Sequence, residues 1–516
     1  MTPNIHLNQL GYRPADIKKA VLPGNATFFR VVRVDGSFAF EGTPGDAIYD
    51  APSDETVRVA DFSAMQEKGD FVLVAEIAEG SEESYPFMVC NEPYNGLRKA
   101  LLDFFEYQKC GVEVGGGAWA HPPCHTTPAT IYGTNETKDV TGGWHDAGDY
   151  GRYIVPAAKA VADLLIGHEN TPNPDANLLE TVRFELNWMR KMQCDKTGGV
   201  YHKVSCHHFN ALDEMPHDEH NALVLSPISA TATADFAAIM AMAGRFFPDD
   251  ATDMLTAARN AWAWLQANPD YPTFKNPDDI FTGGYGARTD ADERYWAANA
   301  LYAATGEAEF HDYVKGSEIL VGLGWGQVGT YGIYEYLFHA HNQDETLAAA
   351  MRDTLLSQSA RILDLQAADP YGNSLGDNYM WGSNMTVANN ALMLLITRKL
   401  THTAGFTQKQ LTQAAWEHLH YLLGRNPLSQ SYITGFGENA ARHPHHRPSV
   451  AVGQCLPGMV VGGPNRNTQQ DDAMKTHRNG APPSKAYIDH QDSYSANEVT
   501  IYWNSPVYAV SAMLGL

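Results

Sequence analysis

Residues 85–105 read YPFMVCNEPYNGLRKALLDFF, and within them the apolar pattern changes its period. Up to Tyr85-Pro86-Phe87 the apolar side chains come in short β-branched and aromatic runs, such as Phe28 to Val34 and Phe71 to Ile77. From Asn95 onward Leu97, Ala100, Leu101, Phe104 and Phe105 recur at i, i+3, i+4, i+7 and i+8, which is one face of a helix. The runs before the switch are separated by turn signals, the clearest being Asp35-Gly36 between Val34 and Phe38-Ala39-Phe40, as a hairpin requires. Residues 1–90 therefore predict a small β-sandwich. Beyond it, periodicity predicts twelve helices, near 95–110, 153–168, 178–193, 229–245, 251–267, 291–305, 309–321, 331–340, 345–365, 384–400, 408–424 and 494–514, with no convincing strand between them. Paired helices of this number, joined by Gly- and Pro-rich connections, predict a toroid or barrel over 91–516 with function on the loops.

At 516 residues the chain is long enough for two cores, and 44% hydrophobic with 19% charged residues is the composition of a folded protein. A formal net charge of -24 argues against nucleic acid or an anionic membrane as partner, because phosphate binding needs clustered Lys and Arg. It permits a neutral or cationic ligand. No run of eighteen apolar residues occurs, and the opening MTPNIHLNQLGYRP has neither a basic start nor an apolar leader core. The expectation is a cytoplasmic protein, or a secreted or periplasmic one if a leader once preceded Met1. Composition gives no reading of oligomeric state. Six cysteines are few for a disulfide scaffold of this length, so reduced thiols or metal ligands are expected.

The stretch 142–153, GGWHDAGDYGRY, places Asp146 and Asp149 three apart in a segment too glycine-rich for a helix interior. Its glycines let the backbone turn and approach a ligand, and Trp144, Tyr150 and Tyr153 offer flat faces on which sugar rings stack. A water-activating site in a carbohydrate cleft is one reading; an Asp-Gly turn capping the helix near Ile154 is the other. The long connection 425–493 exceeds the usual loop length, as functional loops do. It carries Ser431 to Asn439, then Arg442-His443-Pro444-His445-His446-Arg447, donors that suit sugar hydroxyls or a charged reacting centre. Three histidines in four residues with Pro444 between them offer no chelating geometry. Tyr487-Ile488-Asp489 and Tyr494-Ser495-Ala496-Asn497-Glu498 then lead into the last helix, where Glu498 can equally be a dipole partner.

Together these segments resemble glycoside hydrolase family 9, the inverting cellulase family. Ser431 to Arg447 matches the family's first signature, Tyr487 through Glu498 and Thr500 to Asn504-Ser505 its second, Asp146 to Asp149 its Asp-Ala-Gly-Asp motif. Tyr421 to Pro427 resembles a further family segment, and Asn8-Gln9-Leu10-Gly11-Tyr12 the start of its immunoglobulin-like N-terminal module. The resemblance implies a mainly α fold, an (α/α)6 barrel preceded by an all-β immunoglobulin-like sandwich, in agreement with the helix count. It implies Asp149 as general base, Asp146 as the residue that holds the attacking water and Glu498 as general acid, roughly 6.5–9.5 Å apart as an inverting pair requires. Trp144, Tyr494, His445 and Arg447 would bind substrate, and Asp489 would orient an active-site partner, an arginine first of all. Structural ion pairing competes with these roles for His445, Arg447 and Asp489.

The resemblance also implies zinc, since similar zinc sites occur in family members with this N-terminal module, and Cys110, Cys124, His125 and His145 would supply a closed tetrahedral set with a structural role. Free buried cysteines, or a competing set at Cys206-His207-His208, are the alternatives. Asp213, Glu214, Asp218 and Glu219 form an acidic loop that could hold calcium, as loops of family members do. No binding module or linker follows the barrel before Leu516, so soluble β-1,4-linked oligosaccharides are the expected substrates. An exo-acting β-glucosidase or β-glucosaminidase is the nearest alternative. A catalytically dead sugar-binding protein would have lost a carboxylate, and all three are present.

Overall fold

The computed structural model describes residues 3–403 and 405–516. Its first nine strands make two sheets. One runs β1 (Gly11–Tyr12), β9 (Phe87–Val89), β7 (Gly69–Ile77), β3 (Phe28–Arg33), β4 (Phe38–Gly42), with β8 (Gly80–Glu83) also on β7; the other runs β2 (Lys19–Pro23), β6 (Glu55–Asp61), β5 (Ile48–Asp50). Alternation along the strands sends Phe29 and Val31 of β3, and Phe71, Leu73 and Ala75 of β7, into a core shared with Leu22, Phe62 and Phe87. The expected hairpin is present: Gly36 takes φ +86 between β3 and β4.

The helical part follows one after another as α1 (Leu97–Tyr107), α2 (Ile154–Glu169), α3 (Leu178–Lys191), α4 (Ala230–Ala243), α5 (Ala251–Ala267), α6 (Ala291–Thr305), α7 (Ala308–Gly316), α8 (Gly329–His339), α9 (Glu345–Ala368), α10 (Ser383–Thr397) and α11 (Gln408–Leu422). Three short helices follow, α12 (Arg447–Val452), α13 (Asp472–His477) and α14 (Tyr494–Asn497), and then α15 (Ile501–Met513). Alternate long helices differ in kind. α4 and α15 are buried at every position and α2 nearly so, whereas α3 buries one stripe, Leu178, Thr181, Val182, Glu185, Leu186, Trp188 and Met189. A helix apolar all round has to lie inside, and a one-sided helix covers it. Accordingly α15 packs on α2, α2 on α4, α4 on α6, α6 on α8 and α10 on α15, while α9 touches both α8 and α10. This is the (α/α)6 barrel, with α2, α4, α6, α8, α10 and α15 as its inner ring.

Two expectations need correction. The last helix does not run unbroken from 494: Glu498 is extended, Val499 bridges to Val461, and α15 starts only at Ile501, capped by the Thr500 side chain on the Trp503 N–H. Tertiary pairing overrides the helical period there. Short strands also exist between the helices, since Ala129–Ile131, Thr137–Lys138, Arg152–Tyr153, Lys203–Ser205 and Val224–Leu225 form one small sheet. Runs of two or three residues are too short to show a period of two.

The segments entering the inner helices meet at one end. The Ile501 N–H donates to the Asp146 carbonyl (2.8 Å) and the Asn384 N–H to the Gly462 carbonyl (3.0 Å). The sandwich docks through the segment expected to open it: Gln9 Nε2 donates to the Ser429 carbonyl (2.7 Å), and Gln9 Oε1 accepts from the Asn439 N–H (2.8 Å). No helix among the described residues is long and apolar enough to cross a membrane.

Candidate active site

Asp146 and Asp149 lie on the turn that feeds α2, and glycine makes that turn possible. A Cβ on Gly148 would sit 2.0 Å from the His445 carbonyl oxygen, so only glycine lets the aspartate loop lie against the His445 segment. The Asp146 N–H donates to the Gly151 carbonyl (2.9 Å), closing the loop. Asp149 Oδ2 accepts from the Gly151 N–H (3.0 Å) and the Tyr153 hydroxyl (3.3 Å). Asp146 Oδ2 accepts from the Tyr285 hydroxyl, while its Oδ1 is buried without a protein partner. Glu498 arrives from the far end of the chain: its backbone bridges in parallel to His445, its carbonyl accepts from the Gly462 N–H (2.9 Å), and its carboxylate accepts from the Gly148 N–H.

The three carboxyls thus act on one another in one pocket, and their surroundings differ. Burial, then Asp149 and Asp146, push the Glu498 carboxyl well above the usual carboxylate range, against Arg447 and the Gly148 N–H. Burial and Asp149 likewise raise Asp146, against the Tyr285 hydroxyl. Asp149 is raised by burial but opposed by Arg447, the Gly151 N–H, Tyr153 and Lys203. Arg447 acts on both Glu498 and Asp149, but of the three only Asp149 has a second cation, Lys203, and the most donors, so it holds negative charge most readily.

The substrate-side expectations divide. His445 gives its Nδ1 to the Gln491 carbonyl (2.6 Å), and burial lowers it to about 4, so it is neutral with Nε2 free to accept. Its ring meets Tyr494 edge-on at 6.1 Å, and Tyr494 stays open to solvent beside Trp381 at 5.5 Å. Arg447 is buried, with Nη1 on the Gly148 carbonyl (2.7 Å), Nη2 on the Asn210 carbonyl (3.0 Å) and Nε without a partner. Among the described residues Asp489 pairs with no arginine side chain. Its oxygens accept the Arg442 and His443 backbone N–H groups (both 2.8 Å) and Asn497 Nδ2 (3.0 Å), so it shapes the backbone of the His/Arg segment. Trp144 is no sugar platform: it is 1% exposed, its ring packs on Phe105 at 4.8 Å, and its backbone N–H donates to Glu185 (2.6 Å). Tyr150 is also buried, its hydroxyl on the Glu214 carbonyl (2.6 Å).

Cys110, Cys124, His125 and His145 converge, with ligand atoms all within 4.8 Å of one another. Cys110 Sγ is 3.9 Å from Cys124 Sγ and 3.6 Å from His125 Nδ1, and Cys124 Sγ is 3.8 Å from His145 Nε2. His125 turns its other nitrogen to Glu219 (3.1 Å), the kind of partner that orients an imidazole where one binds a metal. Cys206 faces the Asn221 carbonyl and His207 the Asp279 carbonyl, so the competing cysteine-histidine set does not assemble. The calcium expectation finds no gathered carboxylates either. Glu219 is committed to His125 and Asn221, Asp218 lies by His217, and among the described residues Asp213, Glu214 and Asp218 form no converging ligand group.

A family model described as glycosyl hydrolase family 9 matches residues 94–511, and one for the cellulase N-terminal ig-like domain matches residues 1–79. The chain belongs to glycosyl hydrolase family 9. A cellodextrinase of Butyrivibrio fibrisolvens is 36% identical over 98% of this chain and 99% of its own length. Among solved structures, a single mutant of a thermostable endoglucanase from Alicyclobacillus acidocaldarius superposes with TM-score 0.91 at 38% identity, each chain fully covered. AaCel9A in complex with cellobiose-like isofagomine gives 0.90 at 38%, covering 99% of this chain and 100% of its own. A Zn-binding triple mutant of the family 9 endoglucanase J30 gives 0.89 at 28%, covering 98% and 99%. In this family 9 glycoside hydrolase the structure also gathers residues that no motif announced. Tyr285, Tyr502 and Trp325 come from three separate segments, with Tyr285, which donates to Asp146, in ring contact with both others, and nothing local in sequence marks the three as neighbours.

Proposed function

We propose that the protein hydrolyses β-1,4-glucosidic bonds of soluble cello-oligosaccharides by a single inverting displacement. The observation that carries this reading is the gathering of three carboxyls in one pocket, where Asp149 alone has two cations acting on it and accepts from both the Gly151 N–H and the Tyr153 hydroxyl. Asp149, braced by Arg447 and Lys203, is ionised and takes a proton from water as the water oxygen bonds to the anomeric carbon. The unpartnered Oδ1 of Asp146 offers that water its second hydrogen bond. Glu498, kept protonated by burial and its two neighbours, gives its proton to the leaving oxygen as the glycosidic bond breaks. His445 Nε2 accepts from a sugar hydroxyl, and Tyr494 with Trp381 supplies an open stacking face. The substrate class is supported by the cellodextrinase and by the cellobiose-like complex among the relatives.

The thiolate-imidazole set fits zinc. Bonds of about 2.3 Å to sulfur and about 2.0 Å to nitrogen require tetrahedral edges of about 3.8 and 3.5 Å, against 3.9, 3.6 and 3.8 Å between these atoms. A zinc ion held by all four would have no position left for water and would serve the loop through His145, the residue before Asp146. Initial rates on cellotetraose, cellopentaose, aryl glucoside and glucosamine oligomers, with products resolved by size, test the reading. Cellopentaose cleaved at internal bonds at the highest kcat/KM is expected; glucose or glucosamine released singly from the chain end would overturn the substrate assignment.

A further inference from the structure

Lys203 is a buried cation without an ion pair. It lies on the strand Lys203–Ser205, opposite Tyr153 in an antiparallel pair, and is fully buried. Its Nζ donates to Thr282 Oγ1 (2.9 Å) and to the Gly283 carbonyl, and sits 5.4 Å from the centre of the Tyr153 ring. Among the described residues no carboxylate lies within 4.0 Å of it, and the acid that acts on its charge is Asp149. Burial brings the ammonium down to about 7 against the pull of Asp149, so the charge is in place throughout the acid range. An ammonium buried without a paired carboxylate is costly, and groups perturbed in this way cluster at functional sites.

Two paths lead from it to the reacting groups. The first is direct: Tyr153, over which the ammonium sits, hydrogen-bonds Asp149. The second passes through the segment 282–285. Lys203 holds Thr282 and Gly283, and His202 Nε2 donates to the Gly284 carbonyl (2.8 Å). Burial keeps His202 neutral at about 3, and Ser229 occupies its Nδ1 (2.8 Å). The next residue is Tyr285, at φ +47, whose hydroxyl reaches Asp146. A non-glycine residue stays in that region only where its surroundings hold it. Two consecutive side chains of one short segment therefore pin the three residues that present Tyr285.

We propose that Lys203 is a positioning residue for the hydrolysis, fixing the 282–285 segment against Tyr153 and supplying the fixed positive charge behind the base Asp149. This rests on the assignment of Asp149 as base given above. The charged and titratable groups that act on or through Asp149 are Asp146, Glu498, Arg447, Tyr153, Cys206 and Lys203. Removing the Lys203 cation leaves Arg447 as the remaining cation among them, so Asp149 protonates at higher pH.

Lys203→Gln keeps donors and removes charge, whereas Lys203→Arg keeps charge. In Lys203→Gln, kcat on cellopentaose should fall about 10- to 100-fold with KM changed less than about threefold, and the acid limb of kcat/KM should move to higher pH. Lys203→Arg should return the acid limb to its place and recover part of kcat. A wild-type acid limb in Lys203→Gln, or a loss confined to KM, would overturn the proposal. If Lys203→Gln does not fold, Thr282→Val decides: it removes one acceptor from the ammonium and should lower kcat at unchanged KM, and an unchanged kcat would count against it. Asp149→Asn separates the two claims. Should that variant stay active, the base assignment fails; should it be inactive while Lys203→Gln behaves as wild type, the Lys203 inference alone fails.

Discussion

Glu498 shows how a site is tuned against the stability of its own fold. Its folded-state pKa is raised above the unfolded value, so the associated stability is complete below the unfolded value and is lost as pH rises through the folded one. Glu498→Gln removes that penalty. Its melting temperature should match wild type at pH 4 and exceed it at pH 8, as thermal unfolding across pH would record. Activity moves the other way. The amide has no transferable proton, so turnover of cello-oligosaccharides should drop roughly 100- to 10,000-fold, with smaller losses on activated aryl glycosides. The alkaline limb of kcat/KM, which reports the loss of that proton, should vanish with the side chain. Equal modest losses on both substrate classes would remove Glu498 from the acid role. Glu498 stands out in sequence because it sits in a long spaced motif, and Asp146 and Asp149 because they stand three apart in a glycine-rich stretch. Trp144 misleads for a related reason: an aromatic in a glycine-rich loop looks available, but which way it points depends on Phe105 and Glu185, distant in sequence. Tyr285 and Lys203 leave no local signal, since their relation to the aspartates exists only once α2, α4 and α6 are assembled.

At the scale of elements, the loop 142–151 is held from several sides. Glu185 of α3 takes the Trp144 N–H, Gln108 donates to the His145 and Ala147 carbonyls (2.8 and 3.1 Å), and Arg152 donates to the Val140 and Gly142 carbonyls (2.9 and 2.7 Å). Zinc on the cysteine-histidine set, as proposed above, would add a tie from the segment 110–125 to His145. Cys124→Ser should therefore reduce bound zinc and melting temperature together, and lower kcat through misplacement of Asp146, up to about 100-fold. Elemental analysis of protein purified without added metal provides the measurement. Folded, active enzyme with well under one equivalent of any transition metal would return these four side chains to ordinary packing. The long helices are legible because inner and outer elements differ so clearly in apolar pattern, whereas the extended break at Glu498–Thr500 is not, since its cause is pairing with residues 445 and 461–462.

Across the whole molecule, the sandwich is tied to the segment that carries the His/Arg residues. Gln9 bonds Ser429 and Asn439 on either side of Ser431, and Asn8 Nδ2 bonds His420 (2.9 Å). Gln9→Ala strands two partners in a closed interface and should cost about 2 kcal/mol, seen as a fall of a few degrees in the melting temperature. Since the same segment continues to His445 and Arg447, some activity should be lost well below that temperature. An unchanged melting temperature would mean that the sandwich contributes little to holding the barrel. The central claim concerns the order of bonds at one carbon, and proton NMR of the first product formed from a β-linked cello-oligosaccharide tests it most directly. With Asp149 as base and Glu498 as acid, water enters opposite the departing oxygen and the new reducing end appears first as the α-anomer. A β-anomer appearing first would mean two displacements through a covalent intermediate and would contradict the account.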